Sequence, residues 1–282
     1  MLLIRGSRRA SGYGDGVRVV RAHRRRGTGS GPAALVVGLV AAVTVACGHA
    51  PTTVPDLAAA PADLLLDPST LPVGFTATEL SVPQLVDSNS TQLTASDSTE
   101  ITPPQCRPTA DARLNPTLTE ANSAVLAAQA SFGGLVELVT TQMRDIGADV
   151  AVMTGACART QTRITTGNLA GTSIVTEHTE MATPELGKDS EKVEQMLLVK
   201  SATTTTLADR SVRTRIDYVG YAIVARPGGA APISVSLTVS GDPTDAVAPP
   251  AAPPAAQPPL AEQDFVTLFG SALSVATAGR KG

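Results

Sequence analysis

The segment ISVSLTVSG, Ile233–Gly241, gives the clearest indication of the fold. Its apolar side chains (Ile233, Val235, Leu237 and Val239) alternate with Ser or Thr at the positions between them. A period of two is typical of a strand with one buried and one polar face. The segment follows a Pro-Gly-Gly turn, so we predict that it forms one arm of a β-hairpin.

The preceding segment RSVRTRIDYVGYAIVAR, residues 210–226, predicts the partner strand. Val212, Ile216 and Tyr218 fall on one side of this strand. Arg213, Arg215 and Asp217 fall on the other, which we interpret as its solvated face; an anion-binding role for the two arginines is the less favoured reading. We expect Tyr218 and Tyr221 to pack in the sheet and Gly220 to mark a β-bulge.

Three further stretches upstream also favour strands. RTQTRITTG and GTSIVTEHTEM predict an antiparallel pair around NLAG, and QMLLVKSATTTTL predicts a long strand. The stretch ANSAVLAAQASFGGLVELVTTQM, residues 121–143, fits either a helical stripe that continues past its end (Leu135, Leu138, Val139 and Ile146) or two strands broken at Gly133-Gly134. We favour the two strands because LVELVTTQM is rich in β-branched residues.

Helices are predicted in four places. A short helix and a turn precede a strand near Gly74, and another short helix carries Cys106 near its start. Asp145 is a good N-cap for a helix with Ile146, Val150, Met153 and Cys157 on its buried face. The last predicted helix buries Phe265, Leu268, Phe269, Ala272, Leu273 and Ala276. The polar stretch 81–105 is interpreted as a loop.

The N-terminal region has the features of an export signal. The 22 Lys and Arg of the chain include eight arginines before Cys47, whereas only one of the 25 Asp and Glu lies there. The remainder therefore carries 14 basic and 24 acidic residues, a formal charge of −10, which argues against a nucleic-acid partner. The apolar stretch from Gly31 to Ala46 follows the arginines, so residues 1–46 predict a signal peptide, with a retained N-terminal membrane anchor as the alternative.

The boundary residues Thr44, Val45, Ala46 and Cys47 resemble the bacterial lipobox, although that motif favours Leu where Thr44 stands. We expect Cys47 to be acylated, because two acyl chains, such as palmitate, hold a protein on a membrane. The alternative is an ordinary apolar cysteine in a signal that is cut elsewhere or not cut. The Pro/Ala-rich residues 47–62 predict a tether to the extracytoplasmic face of the cell membrane.

The cysteine count then leaves Cys106 and Cys157 as an even pair in an exported chain. We predict that they form a disulfide, with two free buried thiols as the alternative. Their contexts, PPQC and GAC, contain no CxxC motif, so redox catalysis and zinc binding are not expected.

No recognised catalytic or cofactor motif stands out in the chain. His178 lies between Glu177 and Glu180, but on a strand only Glu180 shares its side, so a solvated strand face is favoured over a metal or general-base site. The serine-hydrolase elbow and the phosphate-binding loop are both missing. We therefore expect no enzyme activity, no catalytic residue, no metal and no cofactor.

Residues 63–279 predict one α+β domain, in which the Pro/Ala-rich stretch 246–259 is a loop that lets the last helix dock. The lipobox-like start, the tether, LLLDPSTLPVGF, PPQC, GAC and FVTLFGSAL together resemble the mycobacterial lipoproteins with a PknH-like extracellular sensor domain. The resemblance covers roughly Asp63 to Gly279. It implies a twisted antiparallel sheet flanked by helices, stapled by a disulfide, with a cleft for an unidentified ligand. The kinase sensor domain has two disulfides, whereas this chain has cysteines for one.

These observations predict a lipid-anchored lipoprotein of the mycobacterial cell envelope. We expect it to bind a small molecule or an envelope protein through ligand-binding residues that the sequence does not identify. The alternatives are an envelope hydrolase with an unrecognised site and a structural or assembly protein, and secretion without an anchor is the alternative location.

Overall fold

The architecture rests on a ten-stranded antiparallel sheet with helices on both faces. A computed structural model describes residues 59–226, 229–246 and 255–278, which all lie in one unit of the chain. The strands are β1 (Thr76–Thr78), β2 (Thr99–Thr102), β3 (Ser123–Ala130), β4 (Gly133–Thr140), β5 (Arg159–Ile164), β6 (Ser173–Glu180), β7 (Val193–Thr206), β8 (Val212–Val224), β9 (Ile233–Gly241) and β10 (Thr244–Ala246). The helices are α1 (Val82–Asp97), α2 (Ala110–Leu114), α3 (Ile146–Met153) and α4 (Glu262–Ala278). The predicted α+β class with an antiparallel sheet flanked by helices is confirmed.

The order of the strands is β1-β3-β4-β9-β8-β7-β6-β5-β2, and β10 also pairs with β8. Strands β5 to β9 form a meander in chain order, which confirms the predicted pairs β5–β6 and β8–β9. β3 and β4 form a hairpin that turns just before Gly133, so the two-strand interpretation of residues 121–143 is correct. β2 lies at the opposite edge of the sheet from β1 and pairs with β5.

One face of the sheet, here called the α4 face, is covered by the last helix. The apolar side chains of β9 project onto this face and are completely buried. Phe265 and Phe269 of α4 pack there, and the Phe265 ring stacks on Tyr218 with 5.3 Å between ring centroids. The apolar side of β9 and the apolar stripe of α4, which were both predicted, pack together in one core.

Gly220 does not mark a β-bulge, so that expectation was wrong. A Cβ at Gly220 would lie 2.8 Å from the nearest ring carbon of Phe269. Glycine is required because α4 approaches β8 closely at this point. The irregularity in the pairing of β8 with β7 lies elsewhere, between Val193 and Gln195.

The opposite face, here called the α3 face, carries the three other helices. Leu197, Val199, Val219, Tyr221 and Ile223 form its apolar centre beneath α3. A second cluster places α1 and α2 on β3 and β4; its buried members are Val82, Leu85, Leu114, Leu118 and Leu138.

The prediction of a loop for residues 81–105 was wrong, because most of this stretch is α1. Ser81 caps the helix by accepting a hydrogen bond from the Gln84 backbone N–H, and the Gln84 side chain accepts one from the Ser81 N–H. Val82 and Leu85 bury the first turn against the sheet. A reciprocal capping box with an apolar first turn is enough to begin a helix that is otherwise polar.

The predicted disulfide between Cys106 and Cys157 is present, with the two Cα atoms 5.4 Å apart. Cys106 lies in a short 3-10 turn that follows β2, and Cys157 lies in another that precedes β5. α3 begins after Asp145, as predicted, but it ends at Met153. Val150 is partly exposed, so the prediction of one continuous buried stripe as far as Cys157 was wrong. Gly155, with φ of +55°, turns the chain between α3 and Cys157.

Candidate functional site

A cavity of about 280 Å³ lies between α2, the turn after it and the loop that joins β4 to α3. This volume is just below the range of about 300–1,000 Å³ that pockets for drug-sized ligands occupy. Its wall combines apolar, polar and charged side chains: Ala110, Arg113, Leu114, Thr117, Gln142, Met143 and Asp145.

Arg144 lies directly behind this wall and is almost completely buried, with 5% of its side chain exposed. Its Nε and Nη2 donate to the two carboxylate oxygens of Asp149 at 2.7 and 2.9 Å, and its Nη1 donates to Asp111 at 2.8 Å. The guanidinium carbon is 3.6 Å from the centre of the Tyr221 ring. This one side chain therefore ties α2, α3 and the sheet together through charge-assisted hydrogen bonds and a cation–π contact.

The surroundings of this cluster shift the pKa values of its members. Burial raises the pKa of Asp149, although the hydrogen bond and charge of Arg144 oppose this. Burial alone would raise the pKa of Asp111, but the Arg144 charge and hydrogen bond outweigh it and the pKa lies below its usual value. Burial would likewise lower the pKa of Arg144, yet the pKa is raised because Tyr221 and the two aspartates favour its charged form. Burial raises the pKa of the Tyr221 hydroxyl well above its usual value. Asp111 and Arg144 are therefore a charged pair at neutral pH.

The loop that forms the cavity's other wall is held by the sheet. The Arg144 backbone N–H donates to Ser234 Oγ at 2.8 Å, and Ser234 Oγ donates to the Gln142 carbonyl at 2.8 Å. Ser234 lies on β9, in the centre of the sheet, and is itself buried. The disulfide adds a covalent link between the segments that flank α2 and α3. Both walls of the cavity are therefore anchored to the same rigid framework.

An ion pair lies on the rim of the cavity. Arg113 Nη2 is 3.1 Å from Asp145 Oδ2, and the two side chains are 60% and 49% exposed. Arg113 also donates to Thr109 Oγ1 at 3.0 Å. Asp145 Oδ1 accepts a hydrogen bond from the Ala148 N–H at 2.9 Å, as the predicted N-cap of α3.

His178 lies on β6, on the α3 face, and its Nδ1 is 2.9 Å from Ser201 Oγ. Glu180 is exposed on the same side, and Glu177 is exposed on the other, where it is 3.6 Å from Arg159. In the described ranges there is no group of three or more His, Cys, Asp or Glu side chains placed to hold a metal ion.

Arg215 and Asp217 are not on a solvated face, which corrects the interpretation of β8. Both are buried, and Arg215 Nε donates to Asp217 Oδ2 at 3.0 Å. Burial raises the pKa of Asp217 even though the Arg215 charge opposes this. Arg213 is exposed as predicted and lies 2.8 Å from Asp245. Tyr218 and Tyr221 pack on opposite faces of the sheet, in agreement with the packing interpretation.

His178, Ser201 and Asp217 form a row across β6, β7 and β8, because the strand register aligns them. The serine is the middle member of this row, and the aspartate is paired with Arg215. A serine nucleophile needs its histidine between itself and the acid, so this row lacks the order of a catalytic triad.

The cavity residues were not identified from the sequence. They come from two segments, residues 110–117 and 142–145, that only the fold brings together. The one local signal was Asp145, recognised as a helix cap and not as a rim charge. The expected lipidation site Cys47, the signal peptide and most of the tether lie outside the described residues, which begin at residue 59.

No protein-family model, no curated protein and no solved structure matches this chain. In the ranges that the structure describes, every helix is too short or too polar to cross a bilayer. The candidate site is therefore interpreted from its own geometry.

Proposed function

We propose that this protein is a lipid-anchored, extracytoplasmic binding module of the cell envelope, of the PknH-like sensor-domain type, and that it is not an enzyme. The observation that carries the proposal is the cavity between α2 and α3, whose walls are held by a disulfide and a buried Arg144 cluster. Rigid walls around a small cavity lower the ordering cost of capturing a ligand.

Two further features support the extracytoplasmic part of the proposal. A buried disulfide is expected to persist in an oxidising compartment outside the cytoplasm. The arginine-rich start, the apolar stretch and Cys47 form the predicted signal and acylation site. Intact mass measurement of the protein extracted from membranes tests this part: we expect a chain that begins at an acylated Cys47, and Cys47→Ala should release it from the membrane fraction.

Binding is tested by native mass spectrometry of protein recovered from its own envelope. Met143→Trp and Thr117→Trp place a large ring at exposed lining positions and should abolish the retained small molecule. Leu169→Trp is the matched control, because Leu169 is also exposed but lies in the turn between β5 and β6. A molecule retained equally by all variants would contradict this cavity, and a wild-type protein that retains nothing would contradict the binding role.

A further inference from the structure

We propose that the cavity takes a small organic cation with a short hydrocarbon body, whose charged head replaces the Arg113 guanidinium beside Asp145. This inference rests on the proposed function and specifies the class of ligand for the same site. It assigns Asp145 as the ligand's counter-ion and Arg113 as a side chain that occupies its place when no ligand is bound.

Asp145 is a fixed acceptor. Its Oδ1 accepts from the Ala148 N–H at 2.9 Å as the cap of α3, and this bond orients the carboxylate. Its Oδ2 faces the rim of the cavity and contacts Arg113 at 3.1 Å. Because the cap does not depend on Arg113, Asp145 stays in place when the arginine moves away.

Arg113, in contrast, is easily displaced. Its side chain is 60% exposed, and its contacts beyond Asp145 include the Thr109 hydroxyl on the protein surface. Exposed ion pairs contribute little net free energy, since solvent competes with both partners. A ligand cation that also buries hydrocarbon can therefore take the place of the guanidinium.

An anion is disfavoured at the same position. Arg113 and Asp145 line the cavity, and behind its wall Arg144 pairs with the carboxyl groups of Asp111 and Asp149, of which burial raises the pKa of Asp149. Arg144 already donates from Nε, Nη1 and Nη2 to two of the aspartates. An anion would find Arg113 alone, next to the Asp145 carboxylate, and would be repelled by that carboxylate.

The rest of the wall accounts for the hydrocarbon part of the ligand. Ala110 and Leu114 present buried apolar side chains of α2, and Met143, which is 49% exposed, lies opposite in the β4–α3 loop. Methionine adapts its shape to a partner more readily than branched side chains do. A volume of about 280 Å³ limits this body to a short chain or a small ring.

The test is a titration of the full-length protein, with its disulfide formed, with n-hexylammonium and with hexanoate, monitored by calorimetry and by NMR shifts of the Met143 methyl group. We expect hexylammonium to bind and hexanoate not to bind. Asp145→Asn keeps an equally good helix cap and should weaken hexylammonium binding about tenfold. Arg113→Gln removes the competing cation and should tighten binding about two- to fivefold.

Glu177→Gln is the matched control, because Glu177 is an exposed carboxylate beside an arginine but lies on β6, away from the cavity. It should leave binding unchanged. Preferential binding of hexanoate, or equal binding to the Asp145→Asn variant, overturns the cation assignment. If the molecule retained from the envelope is still lost in Met143→Trp, the proposed function stands without the cation assignment. If Met143→Trp retains that molecule, the cavity is ruled out as the binding site.

Discussion

At Gly220 the contact between β8 and α4 leaves no room for a side chain. A Cβ there would lie 2.8 Å from a ring carbon of Phe269, which is completely buried. Overpacking a rigid core costs about 1–3 kcal/mol because the ring or the helix must shift. We expect Gly220→Ala to lower the free energy of unfolding by that amount in chemical denaturation.

The origin of this cost is tested by replacing the Phe269 ring with a smaller side chain. In a Phe269→Leu background the clash is reduced, so adding Gly220→Ala should cost less than it does in the wild type. An equal cost in both backgrounds would show that α4 is not the neighbour responsible.

His178 gives a prediction about pH. Burial lowers the pKa of this imidazole, and its Nδ1 contacts Ser201 Oγ at 2.9 Å. The unfolded chain then binds a proton more readily than the folded one as the pH falls through about 6.5, so stability decreases on acidification. We expect the NMR titration midpoint of His178 to lie below that of the same histidine in denaturant.

The matched variant is His178→Gln, which keeps a polar side chain but does not titrate. Between pH 7.5 and pH 5 it should lose less stability than the wild type. A midpoint at or above the unfolded value, or the same pH dependence in the variant, would contradict the partly buried placement of this side chain.

The buried pair Arg215–Asp217 shows one limit of sequence reasoning at the residue scale. The alternation in β8 correctly assigned which residues share a side of the strand. It did not indicate whether the polar side is exposed, because a sheet with helices on both faces buries polar residues as well. That information depends on what covers the strand, which a period of two does not contain.

Among the elements, α1 owes its start to one capping box. Ser81 Oγ accepts a hydrogen bond from the Gln84 N–H, and the Gln84 side chain accepts one from the Ser81 N–H. The later turns of the helix are polar. Loss of an N-cap costs about 0.5–2 kcal/mol. We expect Ser81→Ala to destabilise the protein by that amount and to increase amide exchange across the first turn of α1.

The control for α1 is Thr91→Ala. Thr91 is exposed in the same helix, and its Oγ1 donates to the Asp87 carbonyl. Alanine is the better helix former there, so this change should be neutral or slightly stabilising. A loss equal to that of Ser81→Ala would contradict the assigned importance of the cap.

The success of the sequence prediction differed between elements for a physical reason. β9 and α4 carry apolar side chains at a regular period along their whole length, and the stripe of α4 includes Phe265 and Phe269. α1 has its buried apolar residues only in its first turn. The cavity has no periodic signal at all, since its two segments contact each other only through tertiary structure.

At the scale of the whole molecule, the two faces of the sheet are stabilised differently. The α4 face is a continuous apolar core beneath a 17-residue helix. The α3 face carries α2 and α3, which have five and eight residues and are too short to be stable without support. That support comes from the apolar clusters beneath the two helices, and in addition from the Arg144 cluster and the disulfide, which lies next to the pairing of β2 with β5.

Removing the disulfide should therefore affect the two faces unequally. The residues it joins are separated by 51 positions, so the Cys106→Ala/Cys157→Ala variant should lose about 4 kcal/mol of global stability. Hydrogen exchange should accelerate most in residues 104–117 and 145–157, whose protection should fall below that of α4.

Phe269→Leu is the control, because it weakens the opposite face and should lower the protection of α4 first. Equal acceleration throughout the described chain would mean that the two faces open together, and the disulfide would then support the whole molecule and not the walls of the cavity in particular.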